Sequence, residues 1–382
     1  MTASLRHAWD NGRAWWRRDP DLIQAERTPW QVIHQHQCVT LRYYPPLAER
    51  HIDVDGIQVA VAEQPLPVPL VLVAPLAVNM RLYDLFPHRS LVRYLRARGF
   101  ELYLIDWGRP GSAENHWHFD TYLSELMPEM LAAVRAHSGQ QQLSLHGWSF
   151  GAMFSLAYAA LSGDPDLRGL ALLGAPCDYH ANGPLGQHYQ RLSRTLRWLQ
   201  QRTGWHIHRA PRRLLRSPGW ANALAFKLTA PVATAQSYLE LLRNLSDREF
   251  VSTHATNAAF LDDMVAYPGG IMQDVVRYLW TDNVMAAGRM PVRGEPERLS
   301  KVRTPLLLVI GRDDVIITRD CTLPIRDRVG SDDVEVLEVP GGHMGILGGS
   351  SAPQQIWPAV ADWLAAHSQL PEQVVPASNQ VV

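Results

Sequence analysis

Three short segments of this chain carry residue types that could act together in nucleophilic catalysis: Gly147-Trp148-Ser149-Phe150-Gly151, Arg312-Asp313-Asp314-Val315 and Gly341-Gly342-His343-Met344. A serine hydroxyl is a weak nucleophile at neutral pH. It needs a base within hydrogen-bond reach, and that base is held in the right tautomer by a buried carboxylate. Gly-x-Ser-x-Gly supplies the nucleophile when it joins a strand to a helix, because the glycines let the backbones pass closely and the sharp turn lifts the hydroxyl out. So short a pattern also arises in glycine- and serine-rich loops, so its flanks carry the reading. Here Leu143-Ser144-Leu145-His146 alternates as a strand does, and Phe150 to Leu161 is apolar at helical spacing. Ser149 is the expected nucleophile.

The acid and base should follow in the order Ser, acid, His. Leu306 to Ile310 reads as a strand that ends in Asp313-Asp314. Asp314 is preferred as the carboxylate because it directly precedes the apolar Val315-Ile316-Ile317, which leaves Asp313 as a solvent or capping residue. Of sixteen histidines, His343 is the expected base, since it lies in a glycine-rich turn after the last strand. His146 and the His34/His36 pair read as structural or exposed. The oxyanion should be held by the Phe150 N–H together with a backbone amide of Leu76 or Ala77, in the loop after the first long buried strand.

The elements that must position these residues are legible as alternating strands and helices. Pro69 to Pro75 is an unbroken apolar run of the kind buried on both faces, and Leu91 to Arg98 is a helix stopped by Gly99. Glu101–Asp106 is a strand, Tyr122–Ala136 a helix, Leu170–Gly174 a strand, and after an interruption Pro305–Ile310 and Val334–Val339 resume before a helix from about Pro353 to Ala366. Repeated β-α units predict a largely parallel sheet with helices on both faces. Before them, His51–Glu63 alternates around Asp55-Gly56, a hairpin signal, expected at an antiparallel edge of the sheet. The expected organisation is an N-terminal arm over 1–48, a core in two parts (49–176 and 301–368), a helical cap over 177–300 and a disordered tail over 369–382. In the arm, Trp9, Trp15, Trp16 and Trp30 are expected to pack rather than to dock on a membrane.

With 382 residues, 46% hydrophobic and 19% charged, the composition is that of a globular chain able to bury a large core. A formal net charge of -1 gives no global field for nucleic acid. Cys38, Cys177 and Cys321, odd in number and widely spaced, argue against a disulfide framework and a four-ligand zinc site, which fits a cytoplasmic location. No signal peptide is expected. The longest apolar stretch, Val68 to Met80, falls well short of the ~20 residues of a membrane span, so no integral membrane association is expected. No metal or cofactor is indicated. The cap, by contrast, is locally basic: no Asp or Glu occurs between Asp178 and Glu240, while Arg191, Arg194 and Arg197 recur at helical spacing and Arg202, Arg209, Arg212, Arg213 and Arg216 follow. A solvated basic face is the preferred reading; the alternative is a mouth that attracts an anionic substrate such as a phosphorylated thioester carrier.

With these residues assembled, the chain resembles the catalytic subunits of polyhydroxyalkanoate synthases, particularly the short two-subunit class. The resemblance runs from about Leu66 to Ala366. It rests on Val78-Asn79, Ser90-Leu91-Val92-Arg93 with Gly99, Leu102 through Asp106-Trp107-Gly108, the elbow with Phe154-Ser155-Leu156-Ala157-Tyr158, Asp313-Asp314-Val315-Ile316 and Gly341-Gly342-His343-Met344-Gly345-Ile346. It implies an α/β-hydrolase fold with a mostly parallel sheet, a small-molecule acyl ester or acyl-CoA substrate, and a second synthase-type subunit or a homo-oligomer. By position, the family's aspartate and histidine fall on Asp314 and His343. Two departures stand out: the polymerising members carry cysteine where this chain has Ser149, followed here by Phe150 rather than glutamine, and the loop from Asn79 to Asp84 is slightly short. A serine ester is a poorer leaving group than a thioester and partitions to water. The expectation is therefore an ester or thioester hydrolase acting on hydroxyacyl substrates, with synthase-like acyl transfer from 3-hydroxyacyl-CoA as the alternative and a non-catalytic accessory subunit as the third reading.

Overall fold

The structure, a computed structural model, describes residues 3–228, 231–292 and 298–369. Its strands are β1 (Gln31–His36), β2 (Val39–Tyr44), β3 (His51–Val54), β4 (Ile57–Ala60), β5 (Leu70–Val73), β6 (Asp84–Phe86), β7 (Arg89–Ser90), β8 (Leu102–Asp106), β9 (Leu143–Trp148), β10 (Leu167–Leu173), β11 (Leu306–Gly311) and β12 (Val334–Val339). Eight of them form one sheet in the order β1-β2-β8-β5-β9-β10-β11-β12. From β8 to β12 every neighbour is parallel, whereas β1 and β2 run antiparallel. The central strands β5, β8, β9, β10 and β11 are almost wholly buried, and all but β9 are mainly apolar runs, because helices cover both faces. This is an α/β-hydrolase fold.

The helices up to the end of the cap are α1 (Ala3–Trp16), α2 (Leu91–Ala97), α3 (Met127–Ser138), α4 (Phe150–Ser162), α5 (Gly183–Thr203), α6 (Arg212–Leu215), α7 (Gly219–Lys227), α8 (Pro231–Arg243), α9 (Arg248–Asp262) and α10 (Gly269–Asp274). Helix α2 starts where the Ser90 hydroxyl accepts the Arg93 N–H, and its chain turns at Gly99 with φ +89°. Helices α5 to α10 fall between β10 and β11, so the insertion is helical as expected and sits between two strands that pair directly, Leu170 with Leu306 and Leu173 with Val309.

The chain before residue 49 differs from the arm that was expected. It contributes β1 and β2 to the main sheet, and these, not the 51–60 hairpin, form the antiparallel edge; β3 and β4 pair only with each other. The prolines at 29, 45 and 46 flank this β-unit, and Pro20 opens the short turn Pro20–Leu22 before it. Helix α1 does lie over the molecule, against α9. It turns Trp15 inward onto Tyr238 and His254, leaving Trp9 (69% exposed) and Trp16 (81%) outside. The tail expected from residue 369 lies outside the described residues from 370 onward. No described helix is long and apolar enough to cross a membrane.

The joint between the antiparallel edge and the parallel sheet is ionic. Arg42 on β2 donates to Asp106 at the end of β8 (2.5 Å) and to Glu26 (2.8 Å), with its guanidinium over the Trp30 ring at 4.2 Å. Burial disfavours the charge, but the two carboxylates outweigh it and keep Arg42 more firmly protonated than usual. Removing a partner from such a group leaves a carboxylate without compensation. Arg42→Ala is expected to cost about 3 kcal/mol of unfolding free energy, read as a lower urea midpoint at unchanged slope; a loss no larger than that of an exposed arginine such as Arg191 would show that the joint is dispensable.

Candidate active site

Ser149 is the junction of β9 and α4, with φ 56° and ψ -122°, a conformation that residues with a Cβ seldom adopt. The neighbouring glycines explain why it is tolerated. A Cβ on Gly151 would lie 1.9 Å from the Val73 carbonyl oxygen, and one on Gly147 would lie 2.5 Å from the backbone of Ala152. The start of α4 is thus packed directly on the end of β5 and on its own incoming strand. The Ser149 N–H is tied to the Leu173 carbonyl (2.8 Å), and the Ser149 carbonyl accepts the Met153 N–H (3.1 Å), the first turn of α4.

The structure brings the three sequence-predicted polar residues into one hydrogen-bonded chain. Ser149 Oγ is 2.9 Å from His343 Nε2, and His343 Nδ1 is 2.7 Å from Asp314 Oδ2. His343 and Asp314 are both buried. The other Asp314 oxygen accepts the N–H groups of Ile316 (2.9 Å) and Ile317 (2.8 Å), which fixes the carboxylate's direction. Asp313 instead exchanges hydrogen bonds with Gly341: its side chain accepts the Gly341 N–H and its own N–H reaches the Gly341 carbonyl, both at 3.2 Å. The histidine is framed on two more sides. Trp148 donates its indole N–H to the His343 carbonyl (2.9 Å), and a Cβ on Gly174 would lie 3.2 Å from the imidazole.

Leu76 and Ala77 occupy the loop after β5, as expected, and both are buried. Ala77 has φ +66°, and its carbonyl accepts the N–H of Val265 (2.9 Å), so the loop is pinned from the cap side. The Asn79 amide strengthens this by donating to the Phe260 and Asp263 carbonyls, each at 3.0 Å. Phe150 is the first residue of α4, so its N–H precedes the first intrahelical bond. Its ring contacts Phe119, Phe154 and Tyr267, which makes the surroundings aromatic.

Sequence reasoning missed Asn182, buried at the start of the cap. It donates to the Ile316 carbonyl (2.6 Å) and accepts the Thr318 N–H (2.8 Å), clamping the loop that carries Asp314. Nothing in its local sequence signals this. His146, on β9, is fully buried, and burial pushes its pKa down to about 4, so it is a neutral core residue. Burial pushes the thiols the other way: Cys38 to about 11, Cys321 to about 12 and Cys177 upward as well. None of the three is poised to be a thiolate nucleophile. Of the cap arginines, Arg191, Arg202, Arg209, Arg212 and Arg213 are exposed, Arg216 donates to the carbonyls of Pro110 and Gly111, and Arg194 and Arg197 line a cavity of about 510 Å³ with His180, Gln190, Ser193 and Asp282.

Residues 82–350 match the family profile described as the alpha/beta hydrolase fold, and the chain belongs to that family. Within it, the chain is similar to the poly(3-hydroxyalkanoate) polymerase subunit PhaC of Haloferax mediterranei, 26% identical over 362 residues that cover 94% of this chain and 68% of that protein. It is likewise 26% identical over 304 residues to the polymerase subunit PhaC of Allochromatium vinosum, covering 79% of this chain and 82% of that one. Among solved structures, a soluble variant of monoglyceride lipase from Saccharomyces cerevisiae superposes with a TM-score of 0.52 at 13% identity, over 91% of this chain and 97% of that one, a likeness of fold.

The close approach at the elbow generates a direct expectation. Gly151→Ala should lower stability by about 3 kcal/mol, because neither Val73 nor α4 can retreat without disturbing the sheet. Gly345→Ala, where a Cβ would meet nothing within 4 Å, should stay within about 0.5 kcal/mol. Equal chemical-denaturation midpoints for the two variants would contradict the packing argument.

Proposed function

We propose that this chain is an acyl-transfer enzyme in which Ser149 attacks the carbonyl of a 3-hydroxyacyl ester or thioester. The observation that carries the reading is the hydrogen-bonded chain from Ser149 through His343 to Asp314. His343 Nε2 takes the hydroxyl proton as Oγ bonds to the carbonyl carbon, while Asp314 holds Nδ1–H and stabilises the imidazolium. The oxyanion is held by the Phe150 N–H and an amide of Leu76 or Ala77. Collapse of the tetrahedral intermediate expels the thiol or alcohol, which leaves with the proton from His343, and an acyl-Ser149 ester remains. A second nucleophile, deprotonated by the same histidine, then releases the acyl group.

Two readings of that second nucleophile differ in product. The names of the curated relatives, poly(3-hydroxyalkanoate) polymerase subunits, favour the hydroxyl of another 3-hydroxyacyl unit and hence transfer with chain growth, rather than the hydrolysis expected first from the sequence. The observation that favours water is Ser149 itself, since an oxygen ester is a poorer acyl donor than a thioester. The exposed cap arginines suit a phosphorylated thioester carrier in either case.

The deciding assay incubates the protein with a 3-hydroxyacyl-CoA and separates free acid from dimers and longer esters. Oligomer is the expected product; free acid alone would leave hydrolysis as the reading. Ser149→Ala and His343→Ala are each expected to lower turnover by about 10⁴-fold or more, without adding, because the three groups act as a unit. Asp314→Asn should be damaging and Asp313→Asn nearly silent. Ser149→Cys should raise the ratio of ester to free acid at equal thioester consumption. Wild-type turnover surviving Ser149→Ala, with no labelling by a fluorophosphonate probe, would remove the mechanism.

A further inference from the structure

A second set of titratable side chains converges in the described structure and shares no member with the Ser149 chain. His118 follows β8, His208 lies in the cap in the turn Ile207–Arg209, and Asp274 ends α10. One ligand atom from each lies within 4.8 Å of the others. Asp274 Oδ1 is 2.9 Å from His208 Nε2 and 3.0 Å from His118 Nδ1, and Oδ2 accepts the Phe119 N–H at 2.8 Å. Asp274 is wholly buried and His118 is 5% exposed.

His118 is the anomaly. Neither ring nitrogen makes an aligned hydrogen bond, although Nδ1 comes within 3.0 Å of a carboxylate oxygen. Leaving a buried polar nitrogen unpaired is costly. Two atoms that approach closely without pointing at each other are arranged as ligands of a common third centre are. Gly270 makes the room: a Cβ there would lie 2.9 Å from His118 Nε2.

We propose that His118, His208 and Asp274 bind a divalent cation of the zinc class, with water as the fourth ligand, and that the ion staples the cap to the core. Two imidazole nitrogens and one carboxylate oxygen are a zinc donor set, and tetrahedral bonds of 2.0–2.1 Å place ligand atoms about 3.3 Å apart. The observed 2.9 and 3.0 Å separations need open only slightly. One neighbour opposes the ion. Arg277 Nη1 is 3.2 Å from His208 Nδ1, so without metal Nδ1 accepts from Arg277 and Nε2–H donates to Asp274. Binding at Nε2 moves that proton to Nδ1, and the half-buried Arg277 guanidinium must turn away, with Asp282 as its alternative partner at 3.8 Å. No local pattern signals the site, because its donors come from three distant segments.

The test uses the full chain stripped with a chelator and titrated calorimetrically with ZnCl₂, with Co²⁺ as an optical probe. One zinc per chain, a tetrahedral Co²⁺ spectrum and a higher Tm with zinc are expected. His118→Asn and Asp274→Asn should weaken binding at least tenfold, as should His208→Gln, whose partly exposed site makes it the variant sure to be assayed folded by circular dichroism. Arg277→Ala should tighten binding, an effect that a surface histidine site would not show. Ser149→Ala and the double change His34→Gln/His36→Gln, which removes the histidines around Glu129, should bind as the wild type does. Absence of zinc binding, or binding unchanged in folded His208→Gln, would overturn the proposal.

Discussion

The rest of the structure depends on a backbone contact: the first turn of α4 lies so close to the end of β5 that no side chain fits between them. That contact fixes where α4 starts, and so forces Ser149 into a left-handed conformation with its hydroxyl at the carboxyl edge of the sheet. Strain of this kind amounts to about 1–3 kcal/mol and persists only when the surroundings over-determine it. Here they do, through the Ser149 N–H bond to Leu173 on one side and the helical bond from Met153 on the other. The loops that hold His343 and Asp314 are then placed by β11 and β12, which continue the same parallel register.

Much of this was legible in the sequence because parallel strands buried on both faces are unbroken apolar runs, and Leu70–Val73, Leu102–Asp106 and Leu306–Gly311 lie within a residue or two of their expected bounds. The elbow was legible because its glycines are a steric requirement. The distinction between Asp313 and Asp314 was readable from the apolar segment that follows, although Val315 itself is exposed and only Ile317 is buried. Strands β1 and β2 were not legible: Gln31–His36 carries glutamines and histidines on a half-exposed edge, so its alternation is weak, and Arg42 inside β2 is buried only through its ion pairs. Asn182 and the His118–His208–Asp274 cluster are contacts between residues far apart in the chain, for which local pattern has no signal.

The cap is not a loosely attached lid. Asn182 grips the backbone of the Asp314 loop, while Asn79 and Ala77 on the opposite loop are bonded to the end of α9 and to Val265. The loops on both sides of Ser149 are therefore referred to cap backbone. The aromatic contacts of Phe150 with Phe119 and Tyr267 add a third point, since Tyr267 belongs to the cap as well. Any shift of the cap is passed to the Asp314 loop and the loop after β5 together.

The insertion point itself has a consequence for how this chain can change over time. Parallel neighbours such as β10 and β11 cannot be joined by a tight turn and need a crossover of about a dozen residues or more. The whole cap occupies that obligatory crossover, between strands whose pairing is complete without it. Lengthening a connection that must exist anyway costs little chain entropy, only about 0.6 kcal/mol per doubling. The crossover is thus a tolerant place for new sequence, where the residues packed over Ser149 and its loops can be rewritten while the register of the sheet is left intact.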